Sequence, residues 1–235
     1  MRLSRSVSLW IHFFLDQCLP PLIRDNRWFM AIPFRLLFGD KASIFASFKD
    51  EAPFMSPEAF RRTYAQLADV HLDRPTDLNA ACTEAIEGAL VGRTVLDAGC
   101  GRGWLAARLA PRAMVTGLDQ HIDPALPEAH PGVTWVEGSV SALPFDDDAF
   151  DTVVCTHTLE HVQDLAATVR ELRRVARQRL IVVVPRQRPY QHTFDLHLHF
   201  FPVRGSLLIA MGGHGGLQEC TDRGGDWFYV EDQCS

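Results

Sequence analysis

Lysine is almost missing from this chain. Lys41 and Lys49 are the only two, so the basic residues are nearly all arginine, and no function follows from that bias. Paired cysteines are missing as well. Cys18, Cys82, Cys100, Cys155, Cys220 and Cys234 are scattered with no C-x-x-C, which argues against a disulfide framework and a structural zinc site. Cys100 and Cys155 read instead as small buried packing residues, which suits a reducing cytoplasm. There is no cationic excess: the formal net charge of -6 argues against a broad nucleic-acid surface. Nor is there a long apolar run. The stretch 7–23 is broken by His12, Asp16 and Gln17 and closed by Pro20-Pro21, and no small-residue cleavage site follows it. It is read as neither a membrane span nor a signal peptide. Internal repeats and low-complexity segments are absent too.

With 235 residues, 47% hydrophobic and 22% charged, the chain can bury one good core and carry an appendage. The appendage is residues 1–55, where Trp10, Phe13, Phe14, Trp28, Phe29, Phe34, Phe38, Phe45, Phe48 and Phe54 crowd together. Arginines 2, 5, 24, 27 and 35 are interleaved with them. As a helix, Val7, Trp10, Ile11, Phe14, Leu15 and Cys18 would share a face. The first reading is a helical cap over a substrate cleft of the main domain, residues 56–235. The second is an interfacial segment touching a membrane or a lipid-like substrate, with Asp16, Asp25, Asp40, Asp50 and Glu51 weighing against an anionic surface.

Two helices are expected before the first strand. Ser56-Pro57 caps one that runs to about Leu72, and Thr76 to Asn79 opens another through Leu90. Strands then alternate with helices: 95–96, 113–118, 133–136, 151–155 and 179–184 are short apolar runs suited to a parallel sheet covered on both faces. Asp164 opens a helix with Leu165, Val169, Leu172 and Val175 on one side. Its arginines, Arg170, Arg173 and Arg174 with Arg177, read as a solvated face. A helix at 202–211 and strands at 217–221 and 227–231 follow. The expected fold is α/β: a Rossmann-like, doubly wound, mostly parallel sheet with a closing antiparallel hairpin, preceded by the helical aromatic-rich segment.

The chemistry centres on residues 94–108, T-V-L-D-A-G-C-G-R-G-W-L-A-A-R. A strand, a glycine turn and a helix bring bare backbone against a ligand at a helix N-terminus. A dinucleotide fingerprint needs glycine where this chain has Trp104. The third glycine comes one residue early, at Gly103, and Asp97 lies two before the first.

This D-x-G-x-G-x-G pattern resembles that of class I S-adenosylmethionine-dependent methyltransferases, and in particular the methyltransferase type 11 group. Asp119 in G-L-D-Q, the stretch 137–151 and Thr158-Leu159-Glu160-His161-Val162 resemble further points of that family. The likeness covers about 75–185 in detail. It implies a cofactor, S-adenosyl-L-methionine, and a methyltransferase activity on a small-molecule or lipid-linked acceptor. By the same resemblance Asp97 reaches the amino-acid end, Gly99 and Gly101 let the methionine moiety approach, Asp119 binds the ribose hydroxyls, and Ser139 and Val140 meet the adenine; Cys100, Gly103, Gln120 and Thr156 are also expected at the cofactor. Many relatives have aspartate where Ser139 stands; a hydroxyl can still accept from the exocyclic amine.

Methyl transfer needs nucleophile, methyl and sulfur held in line and, where required, a base. His157 is the first candidate base and His161 the second. Tyr190, His192, His197 and His199 are candidates to line the acceptor pocket, and no metal is required. Asp195, His197 and His199 alternate like one face of a strand and could hold a metal, but packing or pocket lining is the preferred reading. The alternative function is a non-catalytic binding or assembly protein on the same fold, kept open by Ser139 and the lack of an evident base. The protein is expected in the cytoplasm, peripheral to a membrane on the second reading of residues 1–55.

Overall fold

The apolar runs after residue 93 become strands because each is too short for a helix and is stopped by an acid, glycine or proline. The computed structural model describes residues 14, 18–67, 75–189, 191, 196–213 and 215–233. Strands β1 (Thr94–Ala98), β2 (Met114–Asp119), β3 (Val133–Glu137), β4 (Phe150–Thr156) and β5 (Ala176–Pro185) are joined by β6 (Gln218–Arg223) and β7 (Asp226–Asp232). They form one sheet in the order β3-β2-β1-β4-β5-β7-β6. The first five pair in parallel, while β7 runs antiparallel to both β5 and β6. The fold class read from the sequence is therefore the one observed, closing hairpin included.

Nine helices are described: α1 (Pro21–Arg24), α2 (Arg27–Phe38), α3 (Ala42–Glu51), α4 (Pro57–Leu67), α5 (Ala80–Ala89), α6 (Trp104–Leu109), α7 (Leu126–Ala129), α8 (Leu165–Val175) and α9 (Arg204–Met211). Side chains alternate across the strands and so feed two cores. Leu96, Ala98, Val153, Cys155, Leu180, Val182 and Val184 pack with Val169, Leu172 and Val175 of α8 and Leu207 and Met211 of α9. Val95, Val154, Ile181 and Val183 face the other way, onto Cys82 and Ile86 of α5 and Leu105, Ala106 and Leu109 of α6. The winding sense reverses between β1 and β4, the place where ligands bind in open α/β sheets.

By packing, the chain falls into two compact units, Pro75–Arg186 with Phe201–Ser235 and Met1–Arg74 with Gln187–Phe200. The first holds the whole sheet. The second has its own core of Met30, Phe34, Phe48, Ala52, Phe60 and Leu196. Asn26 caps α2, accepting from the amides of Trp28 at 2.9 Å and Phe29 at 3.2 Å. Phe48, Phe60 and Tyr64 stack edge to face or tilted, and the Tyr64 hydroxyl donates to the Leu196 carbonyl at 2.9 Å. The face expected at Val7–Cys18 lies mostly outside the described residues.

The arginines around α8 correct the expectation of a solvated face. Arg173 makes a bidentate pair with Glu231, Nε–Oε1 2.6 Å and Nη2–Oε2 2.7 Å, and Glu231 is fully buried. Arg174 binds Glu171, Asp147 and the carbonyls of Leu143 and Phe145. Arg177 donates to the Asp148 carbonyl at 3.0 Å. Of the group, Arg170 and Arg177 are exposed as expected. The sequence could not show this, because the partners come from β7 and from the loop before β4. These pairs fasten α8 to the sheet rather than to water.

Candidate active site

The turn after β1 is built by three residues that only glycine suits. Gly99, Gly101 and Gly103 take φ values of 82°, 52° and 71°. Two of them are also crowded: a Cβ on Gly99 would come within 2.2 Å of Thr158 Oγ1, and one on Gly103 within 2.4 Å of the Trp135 ring. At Gly101 a Cβ would meet nothing within 4 Å, so this residue presents bare backbone to open space. Cross-strand bonds hold the turn in place. The amides of Gly99 and Cys100 both donate to the Leu118 carbonyl, at 2.8 and 2.9 Å, and the Gly103 amide to Cys100 at 2.8 Å. Gly99→Ala is expected to lower stability by about 1–3 kcal/mol through the clash and the positive φ. A thermal melt unchanged from wild type would contradict that packing.

Trp104 does not obstruct this arrangement. It starts α6 and packs, half-buried, on the core beneath that helix. Cys100 is buried as expected, and burial raises its thiol well above the usual range.

Two acids flank the turn. Asp97, 1% exposed within β1, has no hydrogen-bond partner for either carboxylate oxygen. Burial pushes its pKa up to about 7; the Ala106 amide opposes this from beyond hydrogen-bond geometry, and the nearby Asp119 adds to it. Asp119, at the end of β2, takes the Gly101 amide on Oδ2 at 2.8 Å. Burial raises its pKa as well, against the pull of the Gly101, Gln120 and His121 amides. One oxygen of Asp119 thus braces the glycine turn.

The loop after β3 reaches the same end of the sheet, with the Gly138 amide donating to the Asp119 carbonyl at 2.9 Å. Ser139 Oγ accepts from the Ser141 amide at 3.2 Å, shaping its own turn, while Val140 is buried in the core. Gln120 is exposed beside Asp119. Thr156 closes β4, and its carbonyl accepts from Thr158 Oγ1 at 3.0 Å. Asp97, the three glycines, Asp119 and the segments of Ser139 and Thr156 therefore gather at the C-terminal ends of β1 to β4.

His157 departs from its expected role. It follows β4 with φ 49°, and its ring lies between two acids: Nδ1 is 3.5 Å from Glu160 Oε1, and Nε2 is 3.5 Å from Asp226 Oδ2. Glu160 is wholly buried. Burial by itself would lower the imidazole pKa, but the Asp226 and Glu160 carboxylates together outweigh it and raise the value to about 10. An imidazolium has no lone pair to accept a proton, so the environment does not support a general base at neutral pH. The sequence did not flag Asp226, which β7 delivers from the far end of the chain. It is also held by Asn79 Nδ2 at 2.9 Å.

The other histidines are placed differently. His161 ends the 3-10 turn Leu159–His161, its amide donating to Thr158 at 2.9 Å. His197, buried in the helical unit, bonds Gln187 Oε1 through Nδ1 at 2.5 Å and stands edge-on to Phe200. His199 is partly buried next to it. The segment 196–200 is not a strand, so the alternation expected for one strand face has no structural counterpart there. Tyr190, His192 and Asp195 lie outside the described residues.

Residues 96–184 match the Methyltransf_11 family, described as a methyltransferase domain. A 2-phytyl-1,4-naphtoquinone methyltransferase from Trichormus variabilis is 31% identical over 147 residues, covering 56% of this chain and 62% of that protein. A ubiquinone biosynthesis O-methyltransferase from Paracidovorax citrulli is 41% identical over 97 residues, 37% of this chain and 41% of its own. The chain thus spans less than two thirds of the length of these relatives. Among solved structures, the 1,6-didemethyltoxoflavin-N1-methyltransferase of Burkholderia thailandensis, with S-adenosylhomocysteine bound, superposes at a TM-score of 0.58. It is 21% identical and covers 78% of this chain and 92% of that one, a likeness of fold. Residues 96–184, with the glycine turn, the two acids and the strand order around them, are thus similar to the methyltransferase domain of the class I S-adenosylmethionine-dependent methyltransferases.

Proposed function

We propose that this protein transfers a methyl group from S-adenosylmethionine to a small, lipid-linked acceptor of the quinone type. The observation that carries the donor half is Asp97, a buried carboxylate with both oxygens unpartnered at the foot of a glycine turn. Such a group is costly to bury unless a cation meets it. The ammonium of the cofactor's amino-acid end is such a cation, and the open backbone at Gly101 leaves room for it. When bound, the cofactor supplies a sulfonium-activated methyl group.

The chain's own residues then divide the work of holding it. Asp97 takes the amino-acid end, directly or through water, and Gly99, Cys100 and Gly101 let the backbone come close. Asp119 offers its carboxylate to the ribose hydroxyls, with Gln120 beside it. Ser139 presents a hydroxyl and Val140 an amide to the adenine, and Thr156 borders the crevice. Positioning in line carries the rate, because the leaving group is already activated. His157, held between Glu160 and Asp226, fixes the start of the loop after β4 rather than accepting a proton.

The acceptor half rests on the relatives, which are named for 2-phytyl-1,4-naphtoquinone and for ubiquinone biosynthesis. The test is calorimetric titration with S-adenosylmethionine and S-adenosylhomocysteine, followed by labelled methyl transfer to a reduced naphthoquinone carrying an isoprenoid tail. Binding with turnover supports the proposal, and binding by neither cofactor form removes it. Binding without turnover on any such acceptor would favour a non-catalytic binding protein, the reading that a charged His157 keeps in view. Asp119→Ala should weaken S-adenosylmethionine binding at least several-fold, through loss of the diol contacts and of the Gly101 brace. Equal titration curves for variant and wild type would remove Asp119 from the site.

A further inference from the structure

Among its described residues, the helical unit carries an apolar surface that its own core does not use. Helix α2 is apolar on two opposite sides. Met30 and Phe34 point inward, both 1% exposed, and build the core with Phe48 and Phe60. On the opposite side, at i, i+4 and i+8, stand Trp28, Ile32 and Leu36, exposed at 85%, 65% and 77%. Phe29 falls within the same arc and is also exposed. In the short preceding helix α1, Leu22 is 88% exposed. A helix apolar all round is expected inside a core or in a membrane, and single exposed apolar residues are ordinary where a stripe is not.

The segment that carries this face is mostly of one charge sign. Residues 21–39 contain Arg24, Arg27 and Arg35 against a single acid, Asp25. Asp25 accepts the Gln191 amide at 2.9 Å through Oδ1. No helix among the described residues is long and apolar enough to cross a membrane. At twelve residues, α2 spans roughly 18 Å, far less than a bilayer's hydrocarbon core. An apolar stripe headed by tryptophan and flanked by arginine is the composition of a helix lying in the headgroup region of an anionic bilayer.

We propose that α2, with α1 before it, docks the protein on an anionic lipid surface through Trp28, Ile32 and Leu36, with Arg35 at the headgroups. The acids that weighed against this in the sequence are less opposed to it in the structure. Asp25 is hydrogen-bonded, Asp40 lies beyond the end of α2, and Asp50 and Glu51 belong to the end of α3.

Flotation of the full chain with vesicles tests this without cofactor or turnover, so its failure is separate from failure of the methyltransferase reading. Vesicles of phosphatidylcholine alone are compared with vesicles holding one third phosphatidylglycerol. Wild type should float with the anionic vesicles, and Trp28→Ser/Ile32→Ser/Leu36→Ser should lower the bound fraction at least tenfold with its melt unchanged. Arg35→Glu alone should weaken anionic binding several-fold, which keeps the proposal testable if the triple variant fails to fold. Wild type that stays in solution with both vesicles overturns the proposal. So does equal binding to both lipid mixtures, or binding untouched by these variants. A dimer that the triple variant splits, with no flotation of wild type, assigns the face to a second copy of the chain instead.

Discussion

Asp97→Asn should weaken S-adenosylmethionine binding about 10- to 100-fold, the loss of one or two hydrogen bonds to a charged group. Asparagine keeps the shape of the side chain, so the fold is unaffected and the deficit belongs to the charge. Two further readouts separate this from a general disturbance. The wild-type carboxyl titrates near 7 in the folded protein against an ordinary value of 3.8. Between those values the folded state holds more protons than the unfolded one, so stability of the free protein falls as pH rises from about 4 to about 7 and is level above. The variant lacks that slope. It should melt at or above the wild-type temperature at pH 8, because a lone buried charge has been removed. Cofactor affinity should move the other way in wild type, climbing as pH rises toward 7 and the carboxylate forms. Equal affinity in variant and wild type, or a pH-independent titration, would sink the assignment.

His157→Gln is expected to destabilise the protein by about 3–5 kcal/mol, the cost of leaving a buried partner charge uncompensated. Glu160 then loses the imidazolium beside it, and Asp226 loses its link from β7 to the end of β4. The pH dependence carries the sign. The imidazole pKa is raised from 6.5 to about 10, so its stabilisation is complete below about pH 6.5 and is lost as pH rises toward 10. Wild type should therefore lose its margin over His157→Gln across that window, measured as converging melting temperatures. If His157 acted instead as an unpaired base, the variant would keep near-wild-type stability and lose turnover alone. A variant that melts like wild type at pH 7 would show that the cluster does not hold the loop.

The glycine turn and the acids beside it were readable because their logic is local. Asp97 and Gly99 to Gly103 sit within one strand-turn-helix, where spacing in the chain equals spacing in space. Asp119 was legible for a similar reason, since a parallel neighbour brings the end of β2 beside the end of β1 at a fixed register. The helix starts at Ser56, Asn79 and Asp164 came from capping chemistry, and the structure shows each side chain accepting an amide. His157 and the α8 arginines were misread for the opposite reason. Their partners, Asp226 and Glu231, come from a hairpin strand whose neighbours no periodicity announces.

By itself the sequence determined the order of strands and helices, the doubly wound sheet with its hairpin, and which turn would bare its backbone to a ligand. Those follow from residue spacing, glycine's access to positive φ and the need to bury apolar runs. Tertiary structure decided the charges. It stripped Asp97 of partners by burial, gave one oxygen of Asp119 to the Gly101 amide, and set His157 between two acids far apart in the chain. It also decided which side of α2 meets the core. A protonation state or an exposed face depends on what lies within a few ångströms, and only the folded chain sets that.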